Sequence, residues 1–207
     1  MTDRLIDRSL RAFSDDLASD RPVPGGGSAA AYAGALGAAL CAMVVRITAK
    51  KSREDLAARI EELEGLHADF LRLVDDDTAA FGRVAEAMKL PRATDEEKAA
   101  RKQRMQTGLL GAARVPLELA KTARRLLNAC EQTMAVASSA TVSDVGVGAL
   151  MAETALRGAA LNVMINLAAL EDAGQVKVLS EELDRAVDGS EEQRARVLQF
   201  IESRIAR

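Results

Sequence analysis

The chain has 207 residues, 48% of them hydrophobic and 29% charged, with a formal net charge of −3. That balance belongs to a soluble globular protein, and the length suits one well-buried domain, expected over residues 1–207. Four Phe, one Tyr and no Trp, with no basic track, argue against nucleic acid as a partner, and the dominance of Ala and Leu predicts an all-α fold.

A first helix is expected over roughly 3–19, with Leu5, Ile6, Leu10, Phe13 and Leu17 on one stripe. The N-terminal stretch mixes both charges and has no signal-peptide core. Cys41, Cys130 and His67 are the only residues of their types. They are too few and too scattered for a zinc or haem site, so no metal is expected, and a reducing, cytoplasmic compartment is. The stretch "SDRPVPGGG" at 19–27 then breaks the helix.

The second helix is predicted from Ser28, a good N-cap, to about Ala49. Residues 29–45 carry no charge, but many are Ala or Gly. A buried central helix therefore fits better than a membrane span, and no membrane partner is expected. Gly34 and Gly37 each cost about 1 kcal/mol against Ala inside a helix, so close approach of a neighbouring helix or a ligand should offset them. Gly25, Gly26 and Gly27 feed the helix N-terminus, whose amides favour an anion. The spacing is not that of a Walker loop, and no strand precedes it as a dinucleotide fingerprint requires. On the three glycines alone, a turn before a capped helix is equally open. Lys50 and Lys51 suit a helix C-terminus, or hold the carboxylates of an anionic ligand.

A third helix is predicted over about 53–89, ended by Pro91. Alternating steps of three and four pass through Leu63, Leu66, Phe70, Leu73, Asp77, Ala80, Val84 and Ala87. Asp77 is thus a carboxylate in an apolar stripe, while Asp75 and Asp76 turn off it. A buried carboxylate either finds a structural partner or keeps a raised pKa, which suits a general acid/base near neutral pH. Thr94 and Glu97 form a capping box for a fourth helix, and Pro116 either kinks it or starts a fifth, running to about Cys130.

Ser143 or Asp144 is expected to cap the next helix, about 145–171, with Gly174 after it. Asn162 and Asn166 share one face in an apolar stretch. Their amides need partners, either a heterocycle's edge or a neighbouring helix. Glu153 and Arg157 read as a surface ion pair. Ser180 opens a short helix, and Ser190 with Gln193 makes a capping box for the last, to about Arg204. The whole predicts a multihelical up-and-down bundle. Its two least polar helices, 28–49 and 145–171, form the core or a dimer interface.

Five segments in order, "PVPGGGSAAAYAGALGAALCAMV", "VDDDTAAF", "AMKLPRATDEEKAAR", "VSDVGVGAL" and "ALNVMINL", resemble the folate cyclodeaminase/cyclohydrolase family. That family includes the C-terminal domain of formiminotransferase-cyclodeaminase and stand-alone methenyltetrahydrofolate cyclohydrolases. The resemblance implies a helical bundle that forms a homodimer. It implies a tetrahydrofolate derivative as substrate, no prosthetic group, and Asp77 as catalytic acid/base. Gly25–Gly27, Ser28, Ser143, Asp144, Asn162 and Asn166 match its motifs and become substrate-binding candidates, with Lys50 and Lys51 added for an anionic tail. The activity implied is closure of 5-formiminotetrahydrofolate to 5,10-methenyltetrahydrofolate with loss of ammonia. The alternative is hydrolysis of the methenyl bridge to 10-formyltetrahydrofolate. The chain departs from the family pattern at Arg46, where relatives often carry Asn, and at Ala137 and Ser138, where a Gly-Asn pair is common. Those departures would favour a third reading, a non-catalytic bundle that binds folate or a protein.

Overall fold

The structure, a computed structural model, describes residues 4–51 and 55–206. Among these residues every regular element is helical: a short 3₁₀ turn Leu5–Asp7, then α1 (Leu10–Leu17), α2 (Gly26–Ala49), α3 (Ala57–Met88), α4 (Asp95–Met134), α5 (Val142–Leu167), α6 (Ala173–Val187) and α7 (Ser190–Ile205). Helices α2 to α5 run up and down as a bundle. Ser28 meets Asp77 and Arg46 pairs with Glu64, so α2 and α3 are antiparallel. A Cβ on Gly26 would lie beside Asn162, and one on Gly37 beside the Gly148 carbonyl, so α2 and α5 are antiparallel too. Helices α6 and α7 close over α4 and α5.

Helix α2 is long and apolar enough to cross a membrane, yet 61% of its apolar window is buried inside the bundle. Its glycines show why small residues are needed there. A Cβ on Gly34 would sit 2.5 Å from Cδ1 of Phe70, and one on Gly37 would sit 2.9 Å from the Gly148 oxygen. Real contacts need about 3.5 Å, so any larger residue would push α3 or α5 away. The core then fills with Phe70, Leu63, Leu66, Leu73, Leu126, Leu127 and Leu156, all fully shielded from solvent. Cys41 and Cys130 face each other in this core as free thiols, Sγ to Sγ 3.5 Å.

Several boundaries differ from the sequence reading. The expected first helix is broken at Arg8 and Ser9, and Leu10 is exposed. The N-cap of α2 is Gly25, and Ser28 lies inside the first turn with its side chain turned to α3. The expected start of the third helix at Arg53 lies outside the described residues; α3 begins at Ala57. The Thr94–Glu97 capping box forms. Pro116 does not start a new helix: it is buried within one continuous α4 that runs past Cys130 to Met134. Neither Ser143 nor Asp144 caps α5, whose N-cap is Thr141, and α5 ends at Leu167. Gly174 and Ser180 are both inside α6, which Asp172 caps by accepting from the Gln175 amide. The left-handed Gly189 precedes α7, and Gln193 bonds Asn128 and Glu131 instead of closing a box with Ser190. Glu153 pairs with Arg194, and Arg157 with Glu191, so these two do not pair with each other.

Candidate functional site

Two packed helix ends make the site. Helix α2 begins level with Asp77 of α3, and α3 continues for eleven more residues to Met88, about 16 Å. On the other flank, Asn162 of α5 lies beside Gly26. The first turn of α2 is therefore overhung by α3 on one side and by α5 on the other, with α4 behind through Ala112.

The Asp77 carboxylate sits directly on this turn. Its Oδ2 accepts from the Ser28 amide at 2.9 Å and from the Ser28 hydroxyl at 3.0 Å. The same hydroxyl lies 3.0 Å from the Val74 carbonyl and 3.4 Å from Thr78 Oγ1. Gly27 allows the contact: a Cβ there would stand 2.5 Å from Asp77 Cγ and 2.7 Å from Oδ2. The Gly26 and Gly27 amides have no partner among the described residues, as first-turn donors of a helix do not. Burial raises the Asp77 pKa above the ordinary carboxylate value, and the two Ser28 bonds oppose that rise. The result is a half-buried carboxyl group beside unused N–H donors, able to move a proton next to a place where an anion or a polarised oxygen would be held.

The neighbouring acids do different work. Asp75 accepts from the Leu5 amide at 2.7 Å and pairs with Arg4, tying the N-terminal segment to α3. Asp76 pairs with Arg72 on the outer face. Of the DDD run, only Asp77 reaches α2.

Asn162 and Asn166 are half-buried. Asn162 donates to the Gly158 carbonyl, while Asn166 donates to those of Asn162 and Ala112. Part of the Asn166 amide is thus spent on α4, the interhelical alternative. The two side chains still line the α5 flank of the site.

The other candidates lie elsewhere. Lys50 and Lys51, both exposed, follow α2 at its far end, 22 residues past Ser28 and so about 33 Å along the helix. Ser143 and Asp144 start α5 at that same end, exposed and half-buried. Within one chain they do not join Asp77. Arg46 also lies toward that end, paired with Glu64, and Ser138 bonds Thr141 in the loop before α5.

One feature escaped the sequence reading. Phe81 is one helical turn beyond Asp77 on α3 and is 37% exposed. The signal was its i+4 spacing from Asp77. Among the described residues no three His, Cys, Asp or Glu side chains group as metal ligands would. A cleft of about 420 Å³ between α3 and α4 is lined by Arg83, Glu86, Arg104 and Thr107, and does not include Asp77.

Known proteins resemble this chain in sequence and fold. The family described as formiminotransferase-cyclodeaminase matches residues 9–185. The methenyltetrahydrofolate cyclohydrolase of Methylorubrum extorquens is 36% identical over 202 residues, covering 95% of this chain and 97% of that protein. The formimidoyltransferase-cyclodeaminase of Mus musculus is 35% identical over 205 residues, and the chain spans 38% of its length. The solved formiminotetrahydrofolate cyclodeaminase of Thermotoga maritima superposes with a TM-score of 0.83 at 28% identity, over 96% of this chain and 98% of that one.

Proposed function

The chain belongs to the formiminotransferase-cyclodeaminase family, and on that basis we propose that it is a folate one-carbon enzyme acting on the carbon that bridges N5 and N10 of tetrahydrofolate. The observation that carries this reading is the Asp77 carboxylate seated on the first turn of α2 at Gly27 and Ser28. Our first reading is a cyclodeaminase. N10 attacks the carbon of the protonated formimino group, whose nitrogen becomes a neutral amine, while Asp77 takes the N10 proton. Asp77 then returns that proton to the former imino nitrogen, which leaves as ammonia as the C–N bond breaks, giving the methenyl bridge. General acid/base catalysis of this kind contributes about 10²–10⁴-fold. The free Gly26 and Gly27 amides would hold a polar edge of the substrate, and holding N10 against the carbon would supply much of the remaining acceleration.

The full-length likeness to the Methylorubrum cyclohydrolase favours a second reading, hydrolysis of the methenyl bridge. There Asp77 takes a proton from water as its oxygen adds to the methenyl carbon, then gives it to N5 as the C–N5 bond breaks, and the remaining hydroxyl proton passes to solvent as the formyl C=O forms, leaving the 10-formyl product. The same carboxyl group serves both directions of proton movement. In either case the reading includes no prosthetic group, a reducing cytoplasmic setting that suits the two free thiols, and a homodimer. One absorbance assay decides: methenyltetrahydrofolate appearing from the formimino compound with ammonia release marks the deaminase. Its enzyme-dependent loss in water marks the hydrolase. Absence of both reactions from pure, folded protein would sink the proposal and leave the non-catalytic bundle.

A further inference from the structure

The groove between α4 and α6 runs from Arg114 and Gln175 at one end to Arg124 and Ala186 at the other, so the two helices are parallel. The Lys121–Glu182 ion pair crosses it midway and divides it into cavities of about 330 and 350 Å³, a size that suits a small ligand. Buried Leu117, Leu179 and Ala186 give it an apolar floor. The second cavity is lined by Lys121, Arg124, Arg125 and Arg185 against a single acid, Glu182, although the chain as a whole has a net charge of −3. Neighbours do not use these cations up. Glu118, in the first cavity, is taken by Arg72, and Asp69 comes no closer to Arg125 than 3.8 Å. Arg124 and Arg185 have no hydrogen bond or ion pair among the described residues. Nη1 of Arg124 is shielded from solvent and unpartnered, a costly state for a charged donor. Its Nη2 reaches toward the turn between α6 and α7, where a Cβ on Gly189 would lie 3.9 Å away. The bond from Lys121 does most to hold the Glu182 carboxyl below its ordinary pKa, and the charges of Lys121, Arg185 and Arg114 add to it, so these cations converge on one stretch of the groove.

We propose that this cavity binds a phosphorylated small molecule, holding a diphosphate group between Arg124 and Arg125 of α4 and Arg185 of α6. The guanidinium groups come from two helices and approach the cavity from different directions. The oxygens of a phosphate are spread tetrahedrally and can accept from all of them, whereas a planar carboxylate accepts in one plane. One phosphate carries about two negative charges near neutral pH. The four cations and one acid of the cavity leave a surplus of three positive charges, which two linked phosphates match more closely than one. The cavity stands apart from Asp77. Asp69, beside Arg125, is eight residues before Asp77 on α3, about 12 Å. Arg124 is twelve residues past Ala112, which bonds Asn166, about 18 Å along α4. Nothing at this second site depends on the folate reading.

Calorimetric titration of the parent protein tests this, at fixed ionic strength and without divalent cations, using inorganic pyrophosphate, ADP, inorganic phosphate and triglutamate. Pyrophosphate or ADP should bind at one site per chain, about tenfold or more tighter than phosphate or triglutamate. Tighter binding of pyrophosphate assigns the site to the inorganic ion, and tighter binding of ADP to a nucleotide; either supports the diphosphate site. Arg124→Gln and Arg185→Gln should each weaken that binding about tenfold or more, through loss of charge-assisted bonds, with melting near the parent temperature. Arg185 is exposed, so Arg185→Gln keeps the test valid should Arg124→Gln fail to fold. Lys177→Gln removes an α6 cation that pairs with Glu181 outside the groove and should leave binding unchanged. No binding of either diphosphate compound, equal binding of triglutamate or phosphate, or an equal loss in Lys177→Gln would overturn the site.

Discussion

Replacing Gly27 by alanine adds one methyl group at the point where α2 touches the Asp77 carboxyl. The new Cβ would stand 2.5 Å from Cγ and 2.7 Å from Oδ2. A comfortable contact is about 3.5 Å, so the carboxyl group must retreat by about 1 Å. It then loses both bonds from Ser28, each worth about 1.5–3 kcal/mol for a charged acceptor. Alanine returns about 1 kcal/mol of helix propensity, and the freed carboxylate regains hydration. The net cost to stability should be about 1–3 kcal/mol. The cost to catalysis should be larger, since a 1 Å misplacement of a reacting group is worth about 10²-fold. Gly34→Ala makes the comparison, because its methyl would press on the Phe70 ring. That variant should lose a similar 1–3 kcal/mol with kcat near the parent value. The readouts are the methenyl absorbance assay and thermal melting. If Gly27→Ala folded and turned over within twofold of the parent, the assignment of chemistry to this contact would be wrong.

Asp77→Asn should lower kcat by about 10² or more with folding intact, whereas Asp76→Asn should keep the parent rate. Because burial raises the Asp77 pKa, the folded protein binds a proton there more readily than the unfolded chain. The parent's stability therefore falls as pH rises from about 4 through the raised value. Asp77→Asn should melt at the parent temperature in acid and above it near neutral pH, and a variant less stable only at neutral pH would contradict that sign. Ser28→Ala removes a bond that holds this pKa down, so the acidic limb of the rate–pH profile should move to higher pH; a shift to lower pH would refute it. Ile165→Glu places a charge on a 71% exposed apolar position of α5. It should yield a folded monomer in sedimentation, and an unchanged oligomer would remove this position from any interface.

The sequence made the α-helical class, the Thr94 cap and the special position of Asp77 readable for one reason. Each depends on local spacing, which the fold preserves. Ser28 misled because a Ser before an apolar run normally caps it; the glycines let the helix begin three residues sooner, with Gly25 as its N-cap, and turn the hydroxyl to α3 instead. Pro116 left two readings open, a kink or the start of a new helix; the second fails because Pro116 is buried within one continuous α4, where tertiary packing outweighs one missing hydrogen bond. Glu153 and Arg157 have ideal i,i+4 spacing yet each finds a partner on α7, which no local rule reveals. The separation of Lys50 and Lys51 from Asp77 is likewise a matter of helix length and direction, invisible to motif matching.

The three consecutive aspartates of α3 point to three different places: Asp75 to the Leu5 amide, Asp76 to Arg72, Asp77 to Ser28. Successive helical residues are about 100° apart, so the run works as an angular key. If α3 turned by one residue to offer Asp76 to α2, Asp75 and Asp77 would each face the wrong neighbour. The acids are therefore not spares for one another. A one-residue insertion earlier in α3 should leave an intact-looking helix whose carboxylates all miss their marks.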